Sequence, residues 1–368
     1  MVSFDLRAIV ILSLACGLMG CTNEQAVAPS IPMFAQATQT NQSAFVEVPF
    51  DGEVTLPADH GAHDDYQLEW WYITSVLENE AGTLYPFQFT LFRIGLDTPK
   101  EDVDQWSDNT LWLGHASLHT PQGHYFEERF ARGQVGNAGV KVSPFTAYID
   151  DWLWQSASEQ LAPSIFNIQF ESGPNLTMSL SDNGGYIKHQ ETGVSIKSAN
   201  KQVRSYYYSA PFLKLEGTLN QSDESQHVNG DAWFDHEWST ELVGNQVTGW
   251  DWFSIHLDDG SKLMVFRLHS VDNTPFVNGT LITRDGEQIR LSGANTELTI
   301  LNTERIFDSE HPVSWQLAVA DYDIDVTIEP IYKKQYNEGV LGYYEGGILV
   351  SGSHGGNGFL ELTGYVNP

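Results

Sequence analysis

The sequence predicts an all-β protein made of two tandem antiparallel β-barrels, and three observations carry that prediction. Runs such as Phe87-Gln88-Phe89-Thr90-Leu91, Phe166-Asn167-Ile168-Gln169-Phe170 and Asp323-Ile324-Asp325-Val326-Thr327-Ile328 alternate apolar and polar side chains with the period of two that marks a half-buried strand. Turn signals separate them, among them Asp182-Asn183-Gly184-Gly185, Asp258-Asp259-Gly260 and Arg284-Asp285-Gly286, and helical periodicity is lacking apart from a short turn expected near residues 99–108. Finally, Trp70-Trp71-Tyr72-Ile73-Thr74-Ser75-Val76, closed by Phe92-Arg93, recurs as Trp250-Asp251-Trp252-Phe253-Ser254-Ile255-His256, closed by Phe266-Arg267, a spacing of 180 residues from Trp70 to Trp250. One ancestral hairpin used twice implies two domains of like fold.

Taken in chain order, residues 1–21 read as an address rather than as fold. Arg7 precedes an apolar run from Ala8 to Met19, shorter than the roughly 20 residues a membrane-spanning helix needs. Leu18-Met19-Gly20-Cys21 has the small-residue approach to cysteine of a bacterial lipoprotein signal. Cys21 is then the expected lipidated N-terminus, and Thr22-Asn23 behind it, without Asp, favour the outer membrane with the protein facing the periplasm. Residues 22–45 are small, polar and unpatterned, as a flexible tether is.

Residues 46–224 form the first expected barrel and 225–368 the second, with the boundary in the polar stretch Asn220-Gln221-Ser222-Asp223-Glu224-Ser225-Gln226. A second echo, Leu215-Glu216-Gly217-Thr218-Leu219 against Leu362-Thr363-Gly364-Tyr365-Val366, implies that each copy ends on a similar strand. Sandwiches share these cues. Consecutive hairpins with few long crossovers favour barrels, and about eight strands per copy would leave an interior for one small apolar ligand.

Composition narrows the function. The two cysteines are Cys16, in the removed segment, and Cys21, so the mature domains carry no disulfide, thiol nucleophile or thiolate metal site. A net charge of -30 repels phosphate backbones, which excludes nucleic acid as a partner, and otherwise serves solubility. No cofactor is expected. No metal is expected either: His115 and His119 share a strand face and His124 follows a turn, but no carboxylate at ligand spacing completes them.

The chemistry concentrates in Gly230-Asp231-Ala232-Trp233-Phe234-Asp235-His236-Glu237-Trp238-Ser239-Thr240, followed by Trp250-Asp251-Trp252. On an extended strand Trp233, Asp235 and Glu237 point one way and Phe234, His236 and Trp238 the other. Ionisable groups beside indoles are costly in a core unless paired or used. A carboxyl desolvated among aromatics keeps its proton near neutrality and can donate it to an alkene; alternatively, Asp235, His236 and Glu237 pair with Arg or backbone groups and lock the junction of the barrels. Tyr207 points opposite to Tyr206 and Tyr208 and serves a pocket rim or barrel packing. Glu127 and Glu128, being adjacent, face opposite ways, which argues against a glycosidase dyad. Arg93 and Arg267 are the expected partners of buried carboxylates. No Gly-x-Ser-x-Gly elbow supports acyl hydrolysis.

Several motifs in order, Asp59-His60-Gly61-Ala62-His63, Glu69-Trp70-Trp71-Tyr72, Phe126-Glu127-Glu128-Arg129-Phe130, Tyr206-Tyr207-Tyr208-Ser209, Trp233-Phe234-Asp235-His236-Glu237-Trp238 and Tyr343-Tyr344-Glu345-Gly346, resemble the AttH/CrtC-type family of lipocalin-like proteins from about residue 48 to the end. The resemblance implies paired calycin-like barrels and a large apolar substrate, since relatives include carotenoid 1,2-hydratases, kievitone hydratase and fungal Diels-Alder cyclases. In hydratase chemistry an acid protonates a carbon–carbon double bond and water adds to the tertiary cation. Asp235 or Asp251 would then be the acid, His236 its orienting or water-activating partner, and Trp70, Tyr207, Trp233, Trp238, Trp250 and Trp252 the lining. A second class stays open: a non-catalytic carrier or sensor of a hydrophobic metabolite, working at the envelope beside a transporter.

Overall fold

The structure, a computed structural model, describes residues 45–96, 109–222, 224–241, 247–272 and 274–365. Cys21, residues 22–44 of the tether and the turn expected near 99–108 lie outside the described residues. A 3₁₀ turn at Ala58–His60 is followed by strands throughout, and no described helix is long and apolar enough to cross a membrane.

The first sheet has thirteen strands. They are β1 (Leu68–Asn79), β2 (Leu84–Gly95), β3 (Thr110–Thr120), β4 (Gly123–Arg132), β5 (Ala138–Val142), β6 (Phe145–Ile149), β7 (Trp152–Ser156), β8 (Ser164–Gln169), β9 (Asn175–Asp182), β10 (Ile187–Lys188), β11 (Val194–Ile196), β12 (Arg204–Gln221) and β13 (Glu224–Ser239). The second holds β14 (Val247–Leu257), β15 (Lys262–Ser270), β16 (Phe276–Ile282), β17 (Gln288–Ser292), β18 (Thr296–Ile306), β19 (Ser309–Val319), β20 (Ile324–Pro330), β21 (Tyr336–Asn337), β22 (Tyr343–Gly352) and β23 (Gly356–Leu362). All pairings are antiparallel, and each sheet curls around its own core as a tandem barrel.

The strand orders correspond over nine positions, after which the first sheet continues through β6 and β5. The first runs β4-β3-β2-β1-β13-β12-β9-β8-β7-β6-β5 and the second β17-β16-β15-β14-β23-β22-β20-β19-β18. The fold is therefore duplicated, with Trp70 on β1 and Trp250 on the corresponding β14. Two expectations need correction. Asn220–Gln226 is the turn of the β12–β13 hairpin, in which Gln221 pairs with Glu224, and both strands belong to the first sheet; the chain changes sheet between Ser239 and Val247 instead of at 224/225. The second echo also fails, because β23 corresponds to β13 while Leu215–Leu219 lies in β12.

Pleating sends alternate residues to opposite faces. Trp71, Ile73, Phe87, Phe89, Trp152 and Trp154 turn into the first barrel and Phe253, Ile255, Trp315, Ile328 and Leu360 into the second, all 1% exposed or less. Large aromatic and aliphatic side chains at the inward positions build a separate apolar core in each barrel. The outer faces pack on one another, and Tyr72, Val76, Tyr207 and Trp233 of the first sheet form one apolar cluster with Trp252, Met264, Phe266 and Phe359 of the second. Close approach depends on Gly347 of β22, where a Cβ would come within 2.5 Å of Pro86 Cγ.

Candidate functional site

The seam between the outer faces gathers three carboxyl groups. Asp235 on β13 is 2% exposed. Its Oδ2 accepts from the Tyr207 hydroxyl at 2.5 Å and its Oδ1 from the Trp233 indole at 2.7 Å and from the Ser209 hydroxyl. Burial outweighs these donors and pushes the carboxyl up to about 7. Glu361 on β23 is partly buried and accepts the Trp250 indole hydrogen at 2.6 Å. Burial, helped by the charges of Asp235 and Glu237, lifts it to about 7 as well. Glu345 on β22 lies opposite Glu361 in the ladder and accepts from the Tyr72 hydroxyl at 2.5 Å and from Asn337 Nδ2 at 2.9 Å. Burial and the neighbouring Glu361 charge hold it well above the carboxylate range.

Register explains why these three converge. Asp235 sits opposite Tyr72 in the first sheet, and Glu361 sits opposite Trp252 in the second. The Trp252 indole then reaches the Tyr207 hydroxyl at 3.2 Å, joining the second sheet to Asp235. Around the acids stand neutral groups. Burial pushes the hydroxyls of Tyr72, Tyr207 and Tyr343 well above 10, so they act as donors. His189 bridges Ser209 at 2.7 Å and Thr280 at 2.9 Å, and burial lowers it to about 3. His119 and His124 stack at 4.0 Å, with burial lowering both; His115 contacts Tyr343 Oη at 3.0 Å and Glu128 at 2.9 Å. One cation pair closes the rim: Lys197 Nζ is 2.7 Å from Glu237 and 4.7 Å from the centre of the Tyr207 ring. Buried Gln88 Oε1 and Ser254 Oγ have no hydrogen-bond partner among the described residues, a sign of a place that takes water or ligand.

The expected site residues divide into three places. Asp235, Trp233, Tyr207, Trp70, Trp250 and Trp252 reach the seam. His236 and Trp238 do not. They leave β13 on its other face, where His236 Nε2 meets Glu69 at 2.9 Å and Trp238 stacks on His63 at 4.0 Å, so His236 is not a partner of Asp235. Asp251 is inside the second barrel, saturated by Arg267 Nε at 2.7 Å, His269 at 2.9 Å and the Tyr365 hydroxyl at 2.6 Å. It is an internal counter-ion, fully buried, on the opposite face of β14 from Trp250 and Trp252. Arg93 mirrors this in the first barrel, its Nε 2.9 Å from Glu69 Oε2. Glu127 and Glu128 face opposite ways, onto Arg129 and His115 respectively. The sequence reading missed Glu345 and Glu361. The signal for the latter was an acid between Leu360 and Leu362, which points it away from their core face.

Comparison with known proteins agrees with this architecture. A Nitrosomonas europaea protein described as an AttH (NE1406) is similar over 88% of this chain and 100% of its own, at 28% identity and a TM-score of 0.77. Kievitone hydratase from Nectria haematococca is similar over 88% of this chain and 96% of its own, at 15% identity and a TM-score of 0.65, a likeness of fold. No curated protein matches the chain significantly. The profile of the AttH-like family matches residues 48–365, so the chain belongs to the AttH-like family.

Proposed function

We propose that the seam carries out acid-catalysed addition of water to a carbon–carbon double bond of an apolar, isoprenoid-like molecule. The observation that supports this reading is the convergence of Asp235, Glu361 and Glu345, all raised in pKa, on one seam faced by Trp250, Trp252 and Tyr72. Glu361 is the better donor of the set. Among the described residues it accepts one side-chain hydrogen bond, from Trp250, whereas Asp235 accepts three. Its proton passes to the alkene carbon, leaving a tertiary cation that the indole faces and the Asp235 carboxylate stabilise. Water adds to the cation, and the proton it loses returns to the Glu361 carboxylate, restoring the acid. That kievitone hydratase shares the fold supports the reaction class.

The test is turnover of isoprenoid alkenes in D₂O enriched in H₂¹⁸O. A product carrying one new carbon-bound deuterium and one ¹⁸O hydroxyl is expected; recovery of unlabelled alkene from every substrate, together with unaltered Glu361→Gln behaviour, would overturn the reading.

Asp235, saturated by three donors, favours a second reading in which the seam holds a ligand without transforming it. In that case Trp252→Ala weakens ligand retention and Glu361→Gln leaves it unchanged. In either case we propose that Cys21 carries the lipid and tethers the protein to the envelope, beside the transporter that a carrier would serve.

A further inference from the structure

Away from the seam, on the barrel side of the first sheet, His63, Glu69 and His236 converge. His63 Nδ1 lies 2.6 Å and His236 Nε2 2.9 Å from the same atom, Glu69 Oε1, and the three atoms lie within 4.8 Å of one another. The other carboxylate oxygen is committed elsewhere: Glu69 Oε2 accepts from the His63 backbone N–H at 2.9 Å and from Arg93 Nε at 2.9 Å. Both imidazoles are also held from behind, His63 Nε2 by Asp59 Oδ1 at 3.4 Å and His236 Nδ1 by Tyr208 Oη at 3.2 Å. Each inward atom is thus fixed by a partner on its outward side, the way metal-binding imidazoles and carboxylates are oriented.

We propose that His63, Glu69 and His236 bind a divalent transition-metal ion of borderline softness, of the Zn²⁺ class, through two imidazole nitrogens and one carboxylate oxygen. The ion replaces the hydrogens that now bridge each imidazole to Oε1. Asp59 and Glu69 supply the compensating negative charge, while Arg93 stays on the far oxygen. Metal–ligand bonds of about 2.1 Å set tetrahedral ligand atoms roughly 3.4 Å apart, so the two short N···O distances open by less than about 1 Å on loading. His63 can supply that movement, being the one ligand with appreciable exposure, 18% of its side chain against none for Glu69 and His236. Trp238 lies parallel to its ring, planes 3° apart, and limits the movement to sliding. The three ligands come from the segment after the 3₁₀ turn, from β1 and from β13. The ion therefore staples the N-terminal stretch of the first barrel to two neighbouring strands, and the fourth position is left to water. This site does not depend on the reaction proposed for the seam.

The test uses the untagged chain, stripped with chelator and then equilibrated with Zn²⁺ or Co²⁺. One ion per chain is expected by mass spectrometry of the metal, with a Tm rise of a few degrees in about 100 µM Zn²⁺, both lost in His63→Gln. The proposal is overturned by sub-stoichiometric metal with no Tm change, or by His63→Gln binding as much as the parent. If His63→Gln does not fold, the Co²⁺ spectrum of the parent decides. Intense visible bands of a four-coordinate nitrogen–oxygen site support the proposal; the weak spectrum of the hydrated ion sinks it.

Discussion

Tyr72 and Trp252 meet edge to face with ring centroids 5.2 Å apart, and each gives its polar hydrogen to the other's sheet. Tyr72 of β1 donates to Glu345 of β22, and Trp252 of β14 donates to Tyr207 of β12. Since β14 stands in the second sheet where β1 stands in the first, and β22 where β12 stands, the exchange is reciprocal. The acids of the seam are therefore positioned from across it, Glu345 directly and Asp235 through Tyr207.

Glu361→Gln tests the raised acid by thermodynamics as well as by turnover. Its folded pKa of about 7 lies above its ordinary 4.5, so the folded state holds the proton more tightly. The stability this gives is complete below pH 4.5 and is lost as pH rises through 7. The glutamine variant cannot lose it. Its Tm relative to the parent should therefore increase between pH 5 and pH 8, while hydration activity falls at least about 100-fold. A Tm difference that is flat over that range would contradict the raised pKa.

Asp251→Asn should behave in the opposite way. It strands the largely enclosed Arg267 and removes the acceptor of His269 and Tyr365, a change of about 2–4 kcal/mol, somewhat below that of a fully buried pair that loses one partner. Thermal unfolding should show a loss of several degrees or failure to fold, at every pH from 6 to 8. An unchanged Tm would mean that Arg267 finds another acceptor.

Tyr72→Phe keeps the ring on Trp252 and removes one donor from Glu345. We expect a cost of about 1–2 kcal/mol and a further rise of the Glu345 pKa, because that donor is one of the contacts lowering it. The alkaline limb of a pH–rate profile, where the raised acid loses its proton, is the readout, and a profile identical to the parent's would remove Tyr72 from the site.

Cys21→Ala should leave an uncleaved precursor without lipid. Metabolic palmitate labelling and membrane fractionation check this, and labelling that persists in the variant would end the lipoprotein reading.

Much of the fold was legible because strand period and duplication are properties of local sequence. The face sorting of Trp233, Asp235 and Glu237 against His236 and Trp238 followed from alternation alone. Which face meets which neighbour did not, since a strand's two sides are equivalent until a second layer covers one of them. That is why Asp251 and Asp235 read alike although one lies inside a barrel and the other outside. Glu361 and Glu345 arrive at the seam from the last two long strands, more than a hundred residues beyond Asp235, a distance no local pattern spans. The misplaced boundary has a different cause: a polar hairpin turn and a linker have the same composition.

The reciprocal contacts of Tyr72 and Trp252 carry a consequence for descent. Two identical chains that buried the same face against each other would exchange contacts in just this way, as isologous homodimers do. The tandem chain has the form of such a dimer fused end to end, after which its halves were free to diverge, one presenting Asp235 and the other the Glu345 and Glu361 pair. The three acids come from both halves, so the hydration proposed for the seam would be lost from either barrel expressed alone.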